Sequence, residues 1–379
     1  MKTYSLASDL HEELDKSLLY RSDWENFSTD DCEIFIRTGG SEGAFRALFE
    51  KEDGSLDIPG TAPLRLVTNG ESNSLAASME ILSYLRQKGY EGRIIHGDTP
   101  EGDDVVRPFD HKGILRGRRY GVVGEPSDWL ISSRVDYCKA REVLGCELVD
   151  IPMDELVSRV AKGPYEAPES LKPAFGEGES EFKPKFGKPV SRESFQTAID
   201  VYGALKTIVE DYKLDGLTVR CFDLLTAIGN TGCLALSALN SEGYIATCEG
   251  DVPAMLSMAV GRQLYGKSGF QVNLSKVVGR QLLFAHCTIP VNMVEDYVYD
   301  THFESGIGVA IHGILPQNTK AKILKIGSDL ESYVHEEVTL LHNQYENRLC
   351  RTQIWVEQTS ALGQYMLTRP LGNHHVLFW

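Results

Sequence analysis

The order of secondary-structure signals along the chain constrains its fold more than any other feature of the sequence. Up to about residue 265, short apolar runs alternate with polar loops and helical segments, whereas strand-like runs follow one another after Gly269. Strand–helix alternation is typical of parallel sheets covered on both faces, and serial strands rich in β-branched and aromatic residues indicate an antiparallel sheet or barrel. The sequence therefore predicts an α/β fold with two Rossmann-like parallel-sheet domains, followed by a β-rich antiparallel or barrel C-terminal domain.

The length of the chain favours two or three domains, because 379 residues exceed the roughly 100–200 residues of a typical domain. We predict an N-terminal α/β domain at 1–113 and a second α/β domain, which ends in the Glu249 motif, at 114–265. The β-rich domain is predicted at 266–379. A segment rich in proline and glycine, 163–192, is predicted to be a long surface excursion.

Charge and hydropathy exclude several classes of function. A formal net charge of −16 repels phosphate backbones and anionic lipid, which argues against nucleic-acid and membrane-surface binding. The longest apolar runs are too short to cross a bilayer, and the N-terminus lacks the apolar core of a secretory signal. The eight cysteines are scattered, mostly inside apolar segments. Buried free thiols and a cytoplasmic protein are therefore predicted, rather than disulfides or a structural zinc site.

Local patterns predict several individual elements. The apolar runs 33–37 and 64–68 indicate strands. Each is followed by a polar loop that contains glycine, TGGSEG after the first and NGESNS after the second. His335 and His342, like His11, lie in charged stretches that we interpret as helical and without a specific role.

The stretch GYIATCEGDVPAMLSMAVGRQL carries the clearest chemical signal. A strand ends in Glu249-Gly250-Asp251, and a helix follows with Pro253 in its first turn. Carboxylates at the C-terminal end of a buried strand lie where α/β proteins usually bind ligands. Asp251 on its own is most simply the N-cap of the helix. Glu249 precedes the cap and directly follows an apolar strand, so its carboxylate needs a hydrogen-bonded partner or a metal.

Three histidines lie in strand-like apolar contexts, His286 in LLFAHCTIP and the pair His374-His375 in GNHHVLFW. For any one of them, a core histidine with satisfied hydrogen bonds is the commoner outcome. Imidazoles together with carboxylate and amide oxygens would suit a Mn²⁺- or Mg²⁺-type site better than structural zinc. Spacing alone allows a metal site and does not require one.

Taken together, these segments resemble the catalytic half of the L-fucose/L-arabinose isomerase superfamily. The resemblance rests on their order: a strand that ends in a Glu-x-Asp motif, a helix, an F-x-x-D/N segment, a histidine strand and a late NH or HH pair. It covers roughly residues 115–379, and the first 110 residues fit only in their α/β character. The segment GVVGEPSDWLISS is similar to one in the shorter, fucose-isomerase-like members.

The resemblance implies an aldose–ketose isomerase that acts on a small-molecule sugar through a cis-enediol and depends on a divalent metal, usually Mn²⁺. It implies that Glu249 is both a metal ligand and a candidate base. His374 matches the late histidine ligand, with His375 as an adjacent contender, and His286 matches an additional ligand of the arabinose branch. A homo-oligomer, trimer or hexamer, with active sites shared between subunits is also implied.

One position departs from the family pattern. The second carboxylate of the family should lie 24 positions past Glu249, where this chain has Asn273. An amide oxygen can coordinate a hard cation but cannot accept a proton as a base. We therefore keep Asn273 as a candidate metal-binding and catalytic position, and name Asp251 and Asp223 as substitute carboxylates. The candidates for substrate binding are Trp129, Asp223 and His375.

Three functions remain open from the sequence. The leading one is a metal-dependent sugar isomerase, or related enediol chemistry on a sugar derivative. A non-catalytic sugar-binding or regulatory relative is the first alternative, because Asn273 removes the second base. A metal-dependent lyase or epimerase is the other. In each case the loops TGGSEG and NGESNS are expected to determine specificity.

Overall fold

The structure is a computed structural model that describes residues 2–8, 32–59, 63–184 and 189–379. Its first part is a parallel sheet in the order β1-β2-β3-β4, so that each strand pairs with its neighbour in sequence. Helices α1 and α2 follow β2 and β3, and both of the predicted strands are confirmed. The elements are β1 (Lys2–Leu6), β2 (Cys32–Ile36), α1 (Ser41–Phe49), β3 (Leu64–Val67), α2 (Ser74–Gln87) and β4 (Gly92–Ile95).

A second parallel sheet has the strand order β11-β10-β6-β7. The chain runs from β6 outward to β7 and then returns to the other side of β6, which creates a switch in strand order between β6 and β10. Ligands of α/β proteins bind at the carboxyl ends of strands near such a switch. Its elements are β6 (Arg119–Val123), α3 (Tyr137–Val143), β7 (Glu147–Ile151), α4 (Met153–Val160), α5 (Arg192–Tyr212), β10 (Gly216–Val219), α6 (Asp223–Ile228), α7 (Cys233–Ser241), β11 (Ile245–Cys248) and α8 (Val252–Tyr265).

The last part of the chain forms an antiparallel barrel. Strands β16, β19, β12, β13, β18 and β17 pair in that order, and β16 also pairs with β17, which closes the ring. A short strand from the first third of the chain, β5 (Val106–Pro108), extends β17. The barrel strands are β12 (Phe270–Val278), β13 (Gln281–His286), β16 (Thr319–Ile326), β17 (Ser332–Gln344), β18 (Thr352–Gln358) and β19 (His375–Phe378).

Smaller elements complete the described chain. Among its described residues, the predicted surface excursion contains the two-residue strands β8 (Glu181–Phe182) and β9 (Val190–Ser191). Strands β14 (Asp296–Asp300) and β15 (Ala310–Ile314) form a separate hairpin beside the barrel, and helix α9 (Leu362–Thr368) precedes β19. The predicted fold class is confirmed, while the domain boundaries at 113/114 and 265/266 stay a prediction.

The helical assignment of His335 and His342 was wrong, because both lie on the long strand β17. The charges around them belong to cross-strand pairs, such as that between Lys322 on β16 and Glu337 on β17, whose side chains are 3.1 Å apart. Opposite charges stabilise a sheet when they face each other on neighbouring strands, and they stabilise a helix when they lie one turn apart. The charge pattern therefore did not distinguish a strand from a helix. His11 lies outside the described residues.

Helix α8 connects the second sheet to the barrel. Every residue from Val252 to Gly261 is buried, and the helix packs on β11, β16 and β19. Gly261 makes this approach possible, since a Cβ there would lie 2.0 Å from the ring of Phe378. The N-terminus of α8 is therefore held at the junction between sheet and barrel.

Two further sequence predictions can be compared with the structure. All eight cysteines are free thiols, and only Cys138 is exposed. Among the described residues, no helix is both long and apolar enough to span a bilayer.

Candidate metal centre

Glu249 follows β11 at the carboxyl edge of the second sheet, with an unusual backbone conformation. Its φ angle is +66°, in the left-handed region that residues with a side chain seldom adopt. Gly250, at φ +69°, continues the turn, and a Cβ there would lie 2.5 Å from the carbonyl oxygen of Glu125. The Ser127 amide donates to the Glu249 carbonyl at 3.0 Å. Strain of this kind persists where surrounding contacts impose it, commonly at functional sites.

Two neighbours orient the carboxylate of Glu249. Trp129 donates its indole N–H to Oε2 at 2.6 Å, and Oε1 lies 3.4 Å from Nε2 of His374. Burial alone would raise the pKa of Glu249, but the positive charge of His374 lowers it below its usual value. Glu249 is therefore an anion that points at His374.

His374 is fixed by Asp251. Its Nδ1 lies 2.8 Å from Oδ2 of Asp251, and both side chains are fully buried. The other carboxylate oxygen of Asp251 accepts from the Ala254 amide at 2.7 Å, which confirms Asp251 as the N-cap of α8. Burial opposes protonation, yet the charges of Glu249 and Asp251 raise the pKa of His374 to about 10. Because Nδ1 is engaged, Nε2 is left to face Glu249 without a hydrogen-bond partner among the described residues.

His286, at the end of β13, completes a cluster with Glu249 and His374. One ligand atom from each of the three lies within 4.8 Å of the others. The Nδ1 atom of His286 is 2.9 Å from the hydroxyl of Thr288, which leaves Nε2 for the cluster. Burial and then the charge of His374 lower the pKa of His286 to about 4, so this ring is neutral at physiological pH.

Asn273 lies on β12, between the strands that carry the two histidines. Val272 pairs with His375 on β19, while Asn273 itself pairs with Ala285 on β13, directly before His286. The side chain lines the same cavity as Glu249 and His286. Its Oδ1 is buried and has no hydrogen-bond partner in the described chain. Register therefore places Asn273 on the strand beside that of His286, with an unpartnered acceptor oxygen in the wall of the same cavity.

A cavity opens from this cluster toward the N-terminal sheet. Its empty volume, with the open solvent at its mouth included, is about 790 Å³. Both glycine-containing loops reach it, TGGSEG through Gly39, Gly40 and Glu42, and NGESNS through Asn73. Cysteines form an apolar part of its wall: Cys233, Cys248, Cys287 and Cys350.

Several oxygens that line the cavity are buried without a hydrogen-bond partner among the described residues. They belong to Glu42, Asn73, Asn273 and Asn373. Buried polar atoms are nearly always hydrogen-bonded in native proteins, so a cluster of unpartnered ones around a cavity indicates that water, a cation or a ligand bonds them. Amide oxygens only accept hydrogen bonds, which suits a ligand with several O–H groups.

Two other carboxyl groups that line the cavity were missed by the sequence analysis. Glu42 lies in the first turn of α1, and burial raises its pKa well above the usual value. Glu304, in the loop between β14 and β15, accepts from Nδ2 of Asn73 at 2.9 Å. Burial and then the charge of Glu249 raise the pKa of Glu304 to about 7. TGGSEG was the only sequence signal for Glu42, and no pattern marked Glu304.

Two of the remaining candidates, His375 and Asp223, lie outside this cavity. His375 faces away from it, with Nδ1 3.0 Å from the carbonyl of Asn373 and Nε2 3.1 Å from the hydroxyl of Tyr365. Asp223 accepts from Arg220 at 3.0 Å and lines a different depression of the surface. Trp129 does line the cavity, through the edge that binds Glu249. Of the two adjacent histidines, His374 is thus the one in the cluster.

Two short patterns match motifs of other enzyme classes, and the structure supports neither role. The letters GRQLYGKS, 261–268, fit a phosphate-binding loop, but they form the end of α8 rather than a strand–loop–helix turn. The letters GGSEG fit a serine nucleophile elbow. The hydroxyl of Ser41 is instead buried and donates to the carbonyl of Thr38 at 2.7 Å.

The donor set fits a divalent cation. One carboxylate oxygen, two imidazole nitrogens and an amide oxygen are a mixture that Mn²⁺ and related metals accept, and the unpartnered Nε2 of His374 and Oδ1 of Asn273 are what such an ion would satisfy. The fold and the site together define an α/β protein with a buried carboxylate–imidazole centre beside a polar cavity.

Comparison with known proteins adds one likeness. The chain is similar to two curated proteins named sulfoquinovose isomerase, from Priestia aryabhattai and Priestia megaterium, each 23% identical over 201 residues. The match covers 51% of this chain and 44% of each relative, so the chain spans less than half the length of these relatives. No family model matches the chain.

Proposed function

We propose that this protein is a metal-dependent aldose–ketose isomerase that acts on a sugar. The convergence of Glu249, His286 and His374 within 4.8 Å carries the proposal, because a half-buried carboxylate and two buried imidazoles from distant parts of the chain meet at one point. The similarity of half the chain to named sugar isomerases supports it. We propose Mn²⁺ as the cation, held by these three side chains and by the amide oxygen of Asn273.

Each residue would have a distinct part in the reaction. Asp251 holds the imidazole of His374 with Nε2 toward the centre, and Trp129 orients the carboxylate of Glu249. Glu249 would take the proton from the carbon next to the sugar carbonyl and return it at the neighbouring carbon. A divalent cation bound here would offset the negative charge that develops on the sugar oxygens. The cavity wall would exclude water from the reacting carbons.

The charges of the cavity favour a neutral sugar. Lys and Arg do not occur among the described residues that line it, whereas Glu42, Glu249 and Glu304 do. A sulfonate or phosphate group binds best to Arg, Lys or backbone N–H donors, and would be repelled by carboxylates. The substrate of this chain would then differ from the sulfonated sugar in the name of its relatives.

A non-catalytic sugar-binding protein is the second candidate, and Asn273 favours it. An amide in place of the second carboxylate keeps a ligand oxygen but removes a base. Such a protein would bind Mn²⁺ and sugar without converting one sugar into another. An oligomer with shared sites also stays a prediction, and light scattering on the purified protein would test it.

Metal binding and turnover distinguish the two candidates. Protein stripped with a chelator is titrated with Mn²⁺ in a calorimeter and then incubated with neutral aldoses and their 6-sulfonated counterparts, with ketose as the measured product. We expect Mn²⁺-dependent turnover of at least one neutral aldose and less of its sulfonated form. Glu249→Gln should abolish both metal binding and turnover, while Asp223→Asn, outside the cavity, should leave both unchanged. Metal and sugar binding without turnover would favour the binding protein.

A further inference from the structure

The cavity is lined by carboxyl groups besides that of Glu249, and the isomerase reaction calls for a second acid–base group. Aldose–ketose isomerisation moves one proton between two carbons and another between two oxygens, and a single carboxylate does not readily serve both. Asn273 cannot serve the second transfer because an amide does not exchange protons. Glu304 lines the same cavity as Glu249 and Asn273.

We propose that Glu304 is the second acid–base group of this site and moves the proton between the two sugar oxygens. The proposal rests on the isomerase function proposed above. Glu304, on the loop between β14 and β15, would thus have the acid–base role that the amide of Asn273 cannot have.

The loop that carries Glu304 is well held. The Gly306 amide donates to the carbonyl of His302 at 2.9 Å, and the His302 amide donates to the carbonyl of Ile307 at 3.0 Å. The ring of His302 packs edge-on against Phe222, with centroids 5.2 Å apart. A group on such a loop keeps a defined position toward the cavity, as proton transfer requires.

Asn73 fixes the carboxyl group itself. Its Nδ2 donates to Oε1 of Glu304 at 2.9 Å and lies 3.9 Å from the sulfur of Cys350. Asn73 precedes helix α2 and has a φ angle of +59°, so a strained residue of the NGESNS loop is used to hold Glu304. The second oxygen of Glu304 is left for the cavity.

The surroundings of Glu304 favour proton exchange near neutral pH. Burial and the charge of Glu249 raise its pKa to about 7, while the hydrogen bond from Asn73 lowers it. A group that is half protonated can donate and accept with similar ease. The charges of Glu249 and Cys287 raise the pKa of Glu304. The charge of Glu304 in turn raises the pKa of Glu42 and of Cys350. Glu42 has its pKa raised well above its usual value, so it would stay protonated and donate a hydrogen bond.

The proton balance of the proposed reaction closes without another reactant. Glu249 takes the proton from C2 as the C2–H bond breaks, and protonated Glu304 gives its proton to the carbonyl oxygen on C1. The double bond then lies between C1 and C2 in a cis-enediol. Glu249 returns its proton to C1, while Glu304 takes the proton from the oxygen on C2, where the new carbonyl forms. Both side chains end as they began.

Glu304→Gln tests the proposal in the Mn²⁺-loaded protein. The amide keeps the size of the side chain and an oxygen to accept from Asn73, so folding and Mn²⁺ affinity should stay as in the wild type. We expect kcat to fall by about 10²-fold or more, the typical contribution of a general acid–base group, with little change in KM. The plot of kcat against pH should have one limb, the slope caused by titration of Glu304, in the wild type that is missing in Glu304→Gln. Glu304→Asp should restore part of kcat.

Asn73→Gly gives a second, independent readout. Glycine accepts the positive φ of this position, and the loss of the hydrogen bond removes an interaction that lowers the pKa of Glu304. The same limb of the pH profile should therefore move to higher pH. A purely structural role of Glu304 would not predict that movement.

The outcomes separate this proposal from the function on which it rests. If the wild type turns over a sugar and Glu304→Gln does so equally, with an unchanged pH profile, Glu304 is not the acid–base group and the isomerase function stands. If Glu304→Gln loses Mn²⁺ binding or does not fold, and the limb does not move in Asn73→Gly, the side chain is structural and the proposal is wrong. If the Mn²⁺-loaded wild type converts no sugar, both proposals are wrong.

Discussion

Asp251 contacts His374 and caps helix α8 with the two oxygens of one carboxylate. Oδ2 lies 2.8 Å from Nδ1 of the imidazole, and Oδ1 accepts from the Ala254 amide at 2.7 Å. Burial would raise the pKa of Asp251, but the positive charge of Lys325 and then the hydrogen bond with His374 lower it. The residue is thus an anion that couples the orientation of a candidate ligand to the start of a buried helix.

Asp251→Asn should separate these two roles. Asparagine is as good an N-cap as aspartate, but its N–H₂ group can only donate, so if Oδ1 keeps the cap, the hydrogen bond with Nδ1 must reverse its direction. We expect the cap to persist and His374 to take the tautomer with its proton on Nε2, which cannot bind a metal. Mn²⁺ affinity measured by calorimetry should fall roughly 10–100-fold, as for other residues that orient a ligand.

The matched control is Asp251→Ala, which removes both contacts. Its melting temperature should fall well below that of Asp251→Asn, because loss of a cap alone costs about 1 kcal/mol. Equal Mn²⁺ affinity in Asp251→Asn and the wild type would show that Asp251 is a cap and nothing more.

Gly250→Ala should disturb the centre through the backbone. Any side chain at φ +69° is strained, and here the Cβ would also lie 2.5 Å from the carbonyl oxygen of Glu125. Since backbone atoms cannot move aside cheaply, the turn that carries Glu249 must shift. We expect weaker Mn²⁺ binding and a loss of more than about 2 kcal/mol in the free energy of unfolding.

Gly279→Ala is the control for that prediction. Gly279 also has a positive φ, +57°, but a Cβ there would meet nothing within 4 Å. It should therefore cost only the conformational strain, about 1 kcal/mol, and leave metal affinity unchanged. If the two variants bind Mn²⁺ equally well, close packing at Gly250 does not position Glu249.

Much of the fold follows from local patterns because those patterns coincide with burial. The runs at β2 and β3 are short, apolar and bounded by turns, and their residues lie in the core of the first sheet. Strand β17 was not recognised, because apolar and charged residues alternate along only part of it. Its charged residues face residues of the neighbouring strand β16, which the sequence alone does not show. Strand β5 pairs with β17 from more than two hundred residues away, a contact that no local pattern contains.

The site was predictable where polar residues interrupt apolar strands. Glu249, His286 and His374 stand out in this way, and the fold brings them together. Asp223, by contrast, lies outside this cavity and pairs with Arg220, so its place near a strand end is explained by an ion pair. Glu304 lies in an irregular loop with no periodicity, so only the tertiary structure shows that it reaches the cavity.

The raised pKa of Glu304 should make stability depend on pH in the metal-free protein. Its pKa rises from 4.5 to about 7 on folding, so the folded state binds more protons than the unfolded state between these values. Stability from this group is therefore lost as the pH rises through that window. Glu304→Gln should become more stable relative to the wild type between pH 4.5 and 7, by at most about 3 kcal/mol.

Urea unfolding at pH 4.5 and at pH 8 measures this difference. Glu101→Gln is the control, because it makes the same substitution at an exposed position. A difference between wild type and Glu304→Gln that does not vary with pH would mean that Glu304 titrates alike in the folded and unfolded states.

Asn273→Asp tests the departure from the family pattern most directly. Its Oδ1 is buried without a partner in the described chain, and a carboxylate there would give the proposed cation a second anionic ligand. Mn²⁺ affinity should rise, because two anionic ligands hold a divalent cation more tightly than one. Asn373→Asp is the matched control, since it adds the same charge at another cavity residue with an unpartnered oxygen. An equal rise of Mn²⁺ affinity in Asn373→Asp would mean that the added negative charge of the cavity, and not a bond from position 273 to the cation, causes the effect.

The same substitution should also act on catalysis, with an effect that depends on Glu304. In the wild-type background the reaction already has two acid–base groups, so Asn273→Asp should change kcat little. In the Glu304→Gln background, the carboxyl group of Asp at position 273 would be the second acid–base group. Because such a group contributes about 10²–10⁴-fold, kcat should rise about tenfold or more above that of Glu304→Gln alone. If Asn273→Asp lowers turnover in both backgrounds, the amide at position 273 is itself suited to the natural substrate, and its interpretation as a lost base is wrong.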